Sequence, residues 1–263
     1  MNRALLVRML GVLLSLVALL TAAAPALAIV SGEPDGDAHP NVGLLAADIP
    51  GSGLTAVCSG TLISPTVFLT AAHCTVPLQA IGVERALVTF DQAPTRNSVF
   101  VSGRMYTSPD FNQRQSDPHD IAVVVFDTAV VGVTPAKLPT AGLLDLMALR
   151  GGSKTTFTPV GYGANGWVPA QGGPAFYGDG LRRVGSSSFR ALNGAWLRLS
   201  QNPATGDSGT CYGDSGGPNF VAGSDVIAAI SITGDAVCRA TNVTYRLDTP
   251  SARSFLSGFV GLS

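Results

Sequence analysis

The chain has 263 residues, 46% of them hydrophobic and 13% charged, with a formal net charge of −1. That composition is too apolar and too weakly charged to stay unfolded. No block of like charges offers a face to nucleic acid or to an anionic membrane.

The first 28 residues read as an export signal. Arg3 and Arg8 make a positive start, residues 9–20 form an apolar run, and Ala26 and Ala28 put small residues where a signal peptidase cuts, so cleavage is expected after Ala28. The run is shorter than the roughly 20 residues a membrane span needs. Cleavage leaves 235 of the 263 residues, with 14 basic side chains facing 17 acidic ones, a net of −3. No later segment is apolar for long enough to cross a bilayer, so the expected product is a secreted, extracellular monomer with neither membrane nor nucleic acid as partner. A chain of this length makes one large all-β unit or two small ones.

Short apolar or alternating runs follow at 42–46, 57–63, 68–72, 86–90, 121–126, 156–160, 226–232 and 241–247, punctuated by 31 glycines and 17 prolines without a fixed period. β-Branched runs between such breakers predict antiparallel barrels or sandwiches. A crossing near 130–143, with Pro135 and Pro139, divides the chain into halves of roughly 29–135 and 136–248. Residues 141–149 suit a short helix, and the Gly- and Pro-rich stretch 161–180 suits a long surface loop. Near the C-terminus Thr249 can cap, Pro250 fits the first helical position, and Phe255, Leu256, Phe259 and Val260 share one face, which predicts a helix over about 250–260. The four cysteines, at 58, 74, 211 and 238, all lie in the exported part. Three pairings are possible, and the two neighbourhoods favour Cys58–Cys74 and Cys211–Cys238. A zinc site is the weaker reading, because there is no Cys-x-x-Cys and only His73 stands beside a cysteine.

Three motifs bear on chemistry: Thr70-Ala71-Ala72-His73-Cys74 after an apolar run, Asp120-Ile121-Ala122 at the start of another, and Gly213-Asp214-Ser215-Gly216-Gly217-Pro218 just after Cys211. A serine hydroxyl is a poor nucleophile until an imidazole takes its proton. The imidazole needs a buried carboxylate to fix its tautomer, and glycines let backbone amides converge on one developing oxyanion. Each motif alone has a commonplace alternative: a tight turn, a structural histidine, an exposed cap. Together, in the order His, Asp, Ser, they point to nucleophilic catalysis. His39 reads as structural. His119 reads as a rim residue facing away from its neighbour.

On these residues, with Ile29-Val30-Ser31-Gly32, Gly161-Tyr162-Gly163 and Cys58 sixteen positions before Cys74, the chain resembles the trypsin/chymotrypsin family of serine peptidases over 29–263. The resemblance implies two packed six-stranded β-barrels with the site between them. It implies a triad of His73, Asp120 and Ser215, an oxyanion hole of Gly213 and Ser215, and a serine, Ser231, that helps hold the aspartate. It further implies that the free amine of Ile29 pairs with Asp214. Because the expected signal cut falls at that same residue, no separate propeptide is expected; a cut after Ala24 is the alternative. The substrate pocket is expected to be built by Gly209 at its base with Thr210, by Ser231 and Thr233 on one wall, and by Val243. Gly209 supplies no charge, Asp207 reads as a loop residue, and Ile230 stands where a Glu-specific enzyme needs a histidine, so small or medium apolar residues are expected before the cut bond. A one-residue slip would put Gly234 on the wall instead. Only two disulfides are possible, which leaves 165–180 and 201–208 unpinned; Ser31 replaces a usual glycine; no acidic loop matches the family's calcium site, so neither metal nor cofactor is expected. The expected partners are polypeptide substrates and protein protease inhibitors. A catalytically silent binding protein and a narrow esterase are the competing readings.

Overall fold

The computed structural model describes residues 29–151 and 154–262. The expected export signal lies outside the described residues. After a two-residue strand β1 (Glu33–Pro34), six strands close on one another: β2 (Val42–Ile49), β3 (Gly53–Ser64), β4 (Val67–Thr70), β5 (Arg85–Thr89), β6 (Val101–Thr107) and β7 (Ala122–Phe126). Their order is β2-β3-β4-β7-β6-β5, every neighbour antiparallel, and β5 pairs back onto β2. Closure leaves no unpaired edge in this half.

The second barrel uses β8 (Thr156–Gly161), β12 (Ser187–Leu192), β13 (Trp196–Ser200), β16 (Thr241–Arg246), β15 (Ile227–Gly234) and β14 (Pro218–Val221), with β14 returning to β8. Between β8 and β12 run the hairpin β9 (Gly166–Ala170) with β10 (Gly173–Tyr177) and the short β11 (Arg183–Val184). Strand β11 takes β1 as its partner, so a strand from the start of the chain extends the second sheet. Helices α1 (Ala72–Ala80), α2 (Leu143–Leu149) and α3 (Pro250–Leu256) complete the described elements with a 3-10 turn at Pro203–Thr205.

One apolar cluster joins the two halves, from Leu45, Leu62, Phe68 and Val124 to Val160, Phe220, Ile230 and Tyr245, all within a few percent of full burial. A second cluster, built on Phe157, Leu197 and Leu199, fills the far side of barrel two. The disulfides Cys58–Cys74 and Cys211–Cys238 form. Each closes a loop that restricts the unfolded chain by about 3 kcal/mol.

Each of the eight alternating runs falls on a strand. The remaining strands carry too few apolar residues to announce themselves. In β12 and β13 the exposed arginines Arg190 and Arg198 break the apolar pattern. The stretch 161–180 is no bare loop but holds the β9–β10 hairpin, whose residues are mostly exposed and so lack a buried face to read. The run 68–72 ends early: the chain leaves β4 after Thr70 and turns into α1, a helix whose internal Pro77 disguised it. At the C-terminus Thr249 Oγ1 accepts from the Ala252 amide and Pro250 opens α3, which stops at Leu256 rather than near 260.

Candidate active site

Histidine 73 sits in the first turn of α1, where backbone amides have no helical acceptor. Its own amide donates to Asp120 Oδ1 at 2.9 Å, and its ring Nδ1 lies 2.8 Å from Asp120 Oδ2. Asp120 is fully buried just before β7, and the pairing of Thr70 with Ala122 sets the two segments side by side. The Cys58–Cys74 bridge ties the helix to β3 one residue after the histidine. A carboxylate that accepts at Nδ1 fixes the tautomer and leaves Nε2 as a proton acceptor.

The serine comes from a turn in the other barrel. Gly213 has φ 97°, a region closed to most residues, and a Cβ there would stand 2.9 Å from the Gly163 Cα. Asp214 is fully buried, accepts from the amides of Cys211 (2.9 Å) and Gly163 (2.8 Å), and has its pKa pushed up to about 7 by burial. Among the described residues the amides of Gly213 and Ser215 donate to no protein acceptor, so both are free for an oxyanion. Ser59 on β3 clamps this turn across the barrel interface. Its hydroxyl donates to the Gly213 carbonyl at 3.0 Å and accepts from the Tyr162 amide at 3.0 Å, and its amide donates to the Ser215 carbonyl at 2.9 Å. Ser215 and His73 line one cavity of about 280 Å³. Among the described residues no hydrogen bond joins them; such bonds commonly tighten only when substrate is present.

Thr210, Ser231 and Thr233 line that cavity, and Gly234 lines it as well, with Tyr212, Ile232 and Asp235. Both Thr233 and Gly234 face it because a bulge falls between Ser231 and Thr233 in the pairing of β15 with β16. Two anticipated pocket residues are elsewhere. Val243 borders a separate surface cavity with Arg190, Arg198 and Arg239, because alternation on β16 turns its buried neighbours Asn242 and Thr244 inward instead. Gly209 is not among the residues lining the cavity and is covered by Gln201: a Cβ at Gly209 would meet Gln201 Cβ at 2.1 Å and Oε1 at 2.3 Å. Gln201 is fully buried and its Nε2 donates to Asp235 Oδ1 at 3.0 Å. Nothing local marked this residue, which lies where a loose loop was expected; only the missing side chain at Gly209 hints at a filler from another strand. Among the described residues no hydrogen bond joins Ser231 to Asp120. Its hydroxyl accepts from Asn219 Nδ2 at 3.0 Å, and Asn219 accepts from Asn242, so the polar chain runs under the pocket.

Residues 29 and 30 are docked against the second barrel. Ile29 is fully buried, and Val30 and Gly209 exchange backbone hydrogen bonds of 2.9 and 3.2 Å. Among the described residues Asp214 meets no cation. Asp207 is bonded to Ser188 and Thr205 and does not line the cavity. His39 binds Asp35, and His119 stands half-buried outside the cavity with φ 49°. Cys58, His73 and Cys74 lie close enough together to hold an ion, but the two sulfurs are bonded to each other and offer no thiolate.

A family model described as trypsin matches residues 45–255. Among solved structures, an HL collagenase aligns with a TM-score of 0.64 at 16% identity, over 86% of this chain and 95% of the other. An inactivated protease paralogue of the scabies mite aligns with a TM-score of 0.63 at 17% identity, over 87% of this chain and 98% of the other. At such identities the two structures speak for the fold alone. The family match, spanning most of the sequence, places the chain itself: it belongs to the trypsin family.

Proposed function

We propose that the chain is a secreted serine endopeptidase that works through an acyl-enzyme on Ser215. The observation that carries this is the joint geometry of the cleft: His73 held by Asp120 at 2.8 Å, Ser215 in the same cavity, and two unspent amides beside it. In the first half-reaction Ser215 Oγ attacks the peptide carbonyl and gives its proton to His73 Nε2. Asp120 steadies the imidazolium, and the amides of Gly213 and Ser215 hold the oxyanion. Collapse of the adduct expels the amine, which takes the proton from His73. Water then repeats the sequence on the ester and frees the acid. Each oxyanion donor is worth about 10²–10³ in kcat.

A small or medium apolar side chain before the cut bond suits the pocket, because Gly209 supplies no charge and the buried Gln201 packs against it while bonding Asp235 of the cavity lining. Chromogenic peptides bearing Ala, Val, Leu, Phe, Arg, Lys or Glu at that position test it: fast Arg or Lys cleavage would mean that Asp235 acts as the specificity charge, and a clear Phe preference would mean a more open pocket.

Processing after Ala28 fits the backbone at Ile29, a β-branched residue with φ 43°. Its φ is defined through the carbonyl carbon of Ala28, so cutting that bond removes the strain and frees an amine for Asp214. N-terminal sequencing of the secreted protein should read Ile-Val-Ser-Gly; another start would refute a signal cut that doubles as activation.

A silent homologue is the second reading, favoured by the lack, among the described residues, of a hydrogen bond between Ser215 and His73. Labelling by a fluorophosphonate separates an active hydrolase from a silent one, and amide against ester substrates separates a peptidase from an esterase.

A further inference from the structure

The geometry points to a second binding site, an anion-binding cavity on the outer face of barrel two that takes a sulfated or phosphorylated saccharide chain. Arg190 on β12, Arg198 on β13 and Arg239, one residue after Cys238, line one cavity of about 540 Å³ with Asn202 and Thr241. No carboxylate is among its lining residues. The three guanidinium groups are exposed and make no ion pair among the described residues, in contrast to the buried Arg182, Arg183 and Arg246, each of which bonds an aspartate.

The acids that could neutralise this face are already engaged. Asp235 accepts from the amides of Arg239, Ala240 and Thr241 and from Gln201. Asp207 accepts from the amide and hydroxyl of Ser188 and from Thr205. Arg198 also borders a neighbouring cavity containing Asp117 and Asp145, but Asp145 bonds Arg246 and Asp117 accepts from Ser251. Arg190 stands at the bulge opposite Arg198 on the adjacent strand, a like-charge placement that costs stability without a counter-ion. The chain therefore holds three forked donors around one space, against a negative net charge after the expected cleavage. Guanidinium forks match the oxyanions of sulfate and phosphate esters, and the Asn202 amide and Thr241 hydroxyl supply the neutral partners that sugar hydroxyls need.

The test uses fluorescent dextran sulfate, unsulfated dextran and poly-L-glutamate of matched length, with binding to the full-length secreted protein read by anisotropy over a salt series. The expected result is salt-sensitive binding of dextran sulfate, no binding of dextran, and weaker binding of poly-glutamate. Affinity should fall about tenfold for each of Arg190→Ala, Arg198→Ala and Arg239→Ala. Replacing the exposed Arg96, Arg104 and Arg114 by alanine should leave it unchanged. Equal losses on replacing Arg190, Arg198 and Arg239 together and on replacing Arg96, Arg104 and Arg114 together would reduce the effect to overall charge and overturn the site. Poly-glutamate binding as tight as dextran sulfate would overturn the saccharide assignment. Thermal unfolding of each variant confirms the fold, and the single charge reversal Arg239→Glu provides a second, less invasive variant that must also weaken binding.

Discussion

The protein contains two Asp–His pairs of nearly the same construction. In each, a fully buried aspartate accepts both the backbone amide and the ring Nδ1 of a histidine: Asp120 with His73 at 2.9 and 2.8 Å, Asp35 with His39 at 3.0 and 2.5 Å. Both imidazoles are about one-fifth exposed, 22% for His73 and 23% for His39. Their surroundings set them apart. Asp35 also holds the buried guanidinium of Arg182 at 2.8 Å, which in turn donates to the carbonyls of Gly36, Val42 and Phe90, while the His39 ring stacks on Phe220. Among the described residues Asp120 pairs with no arginine or lysine, and its histidine opens onto the cavity of Ser215. An Asp–His pair is a device for fixing an imidazole; its neighbours decide whether the fixed ring braces a fold or moves a proton.

The comparison breaks first at the histidines. His73→Ala should lower kcat by about 10⁶ in a folded protein, and His39→Ala should leave kcat within a few-fold while lowering the melting temperature. Steady-state kinetics beside circular dichroism decide it; comparable kcat losses in the two variants would erase the distinction.

Next in size is the stability of the braced pair. Arg182→Ala leaves Asp35 with His39 alone and leaves the Tyr162 hydroxyl and three backbone carbonyls without that donor, which should cost about 3–5 kcal/mol in urea unfolding. Asp35→Asn in the same background should recover part of it, since the carboxylate charge is gone.

The buried carboxylates also sharpen the contrast through pH. Burial pushes the Asp35 carboxyl up, but His39 and Arg182 outweigh that and hold it below its ordinary range. Its stabilisation is present above the unfolded pKa and is lost as pH falls through the lower folded value. Asp214, with amides alone, is pushed up to about 7. In a chain still joined at Ala28, its contribution is full below the unfolded pKa near 4 and is lost as pH rises to about 7, a change on the order of 4 kcal/mol. A free Ile29 amine should abolish that loss. Denaturant midpoints of the uncut and cut forms at pH 5 and 7.5 report it, and identical pH profiles would contradict the pairing of Ile29 with Asp214.

The smallest expected effect is at Gln201. Gln201→Ala should move the preference toward Leu and Phe by about tenfold in kcat/KM, because roughly two methylenes of space open beside Gly209. An unchanged profile would mean that Gln201 does not bound the pocket.

How much of this was legible follows the physics of each element. Strands buried on a face, such as 121–126 and 226–232, show their apolar run directly, and the three motifs stand intact in the sequence because each is a local turn, helix start or strand start. Residues that act across the barrel interface leave no such trace. Ser59, Gln201, Asn219 and Arg182 become meaningful only when a distant strand is laid beside them, and Val243 faces the outer cavity because alternation on β16 turns Asn242 and Thr244 inward.

The most direct test of catalysis by this cleft is active-site titration of the secreted protein with a fluorophosphonate, read by intact-mass spectrometry. The account predicts one phosphonyl adduct, on Ser215, and none on well-folded Ser215→Ala or His73→Ala protein. No adduct on a folded protein that begins at Ile29, or an adduct that survives Ser215→Ala, would contradict it.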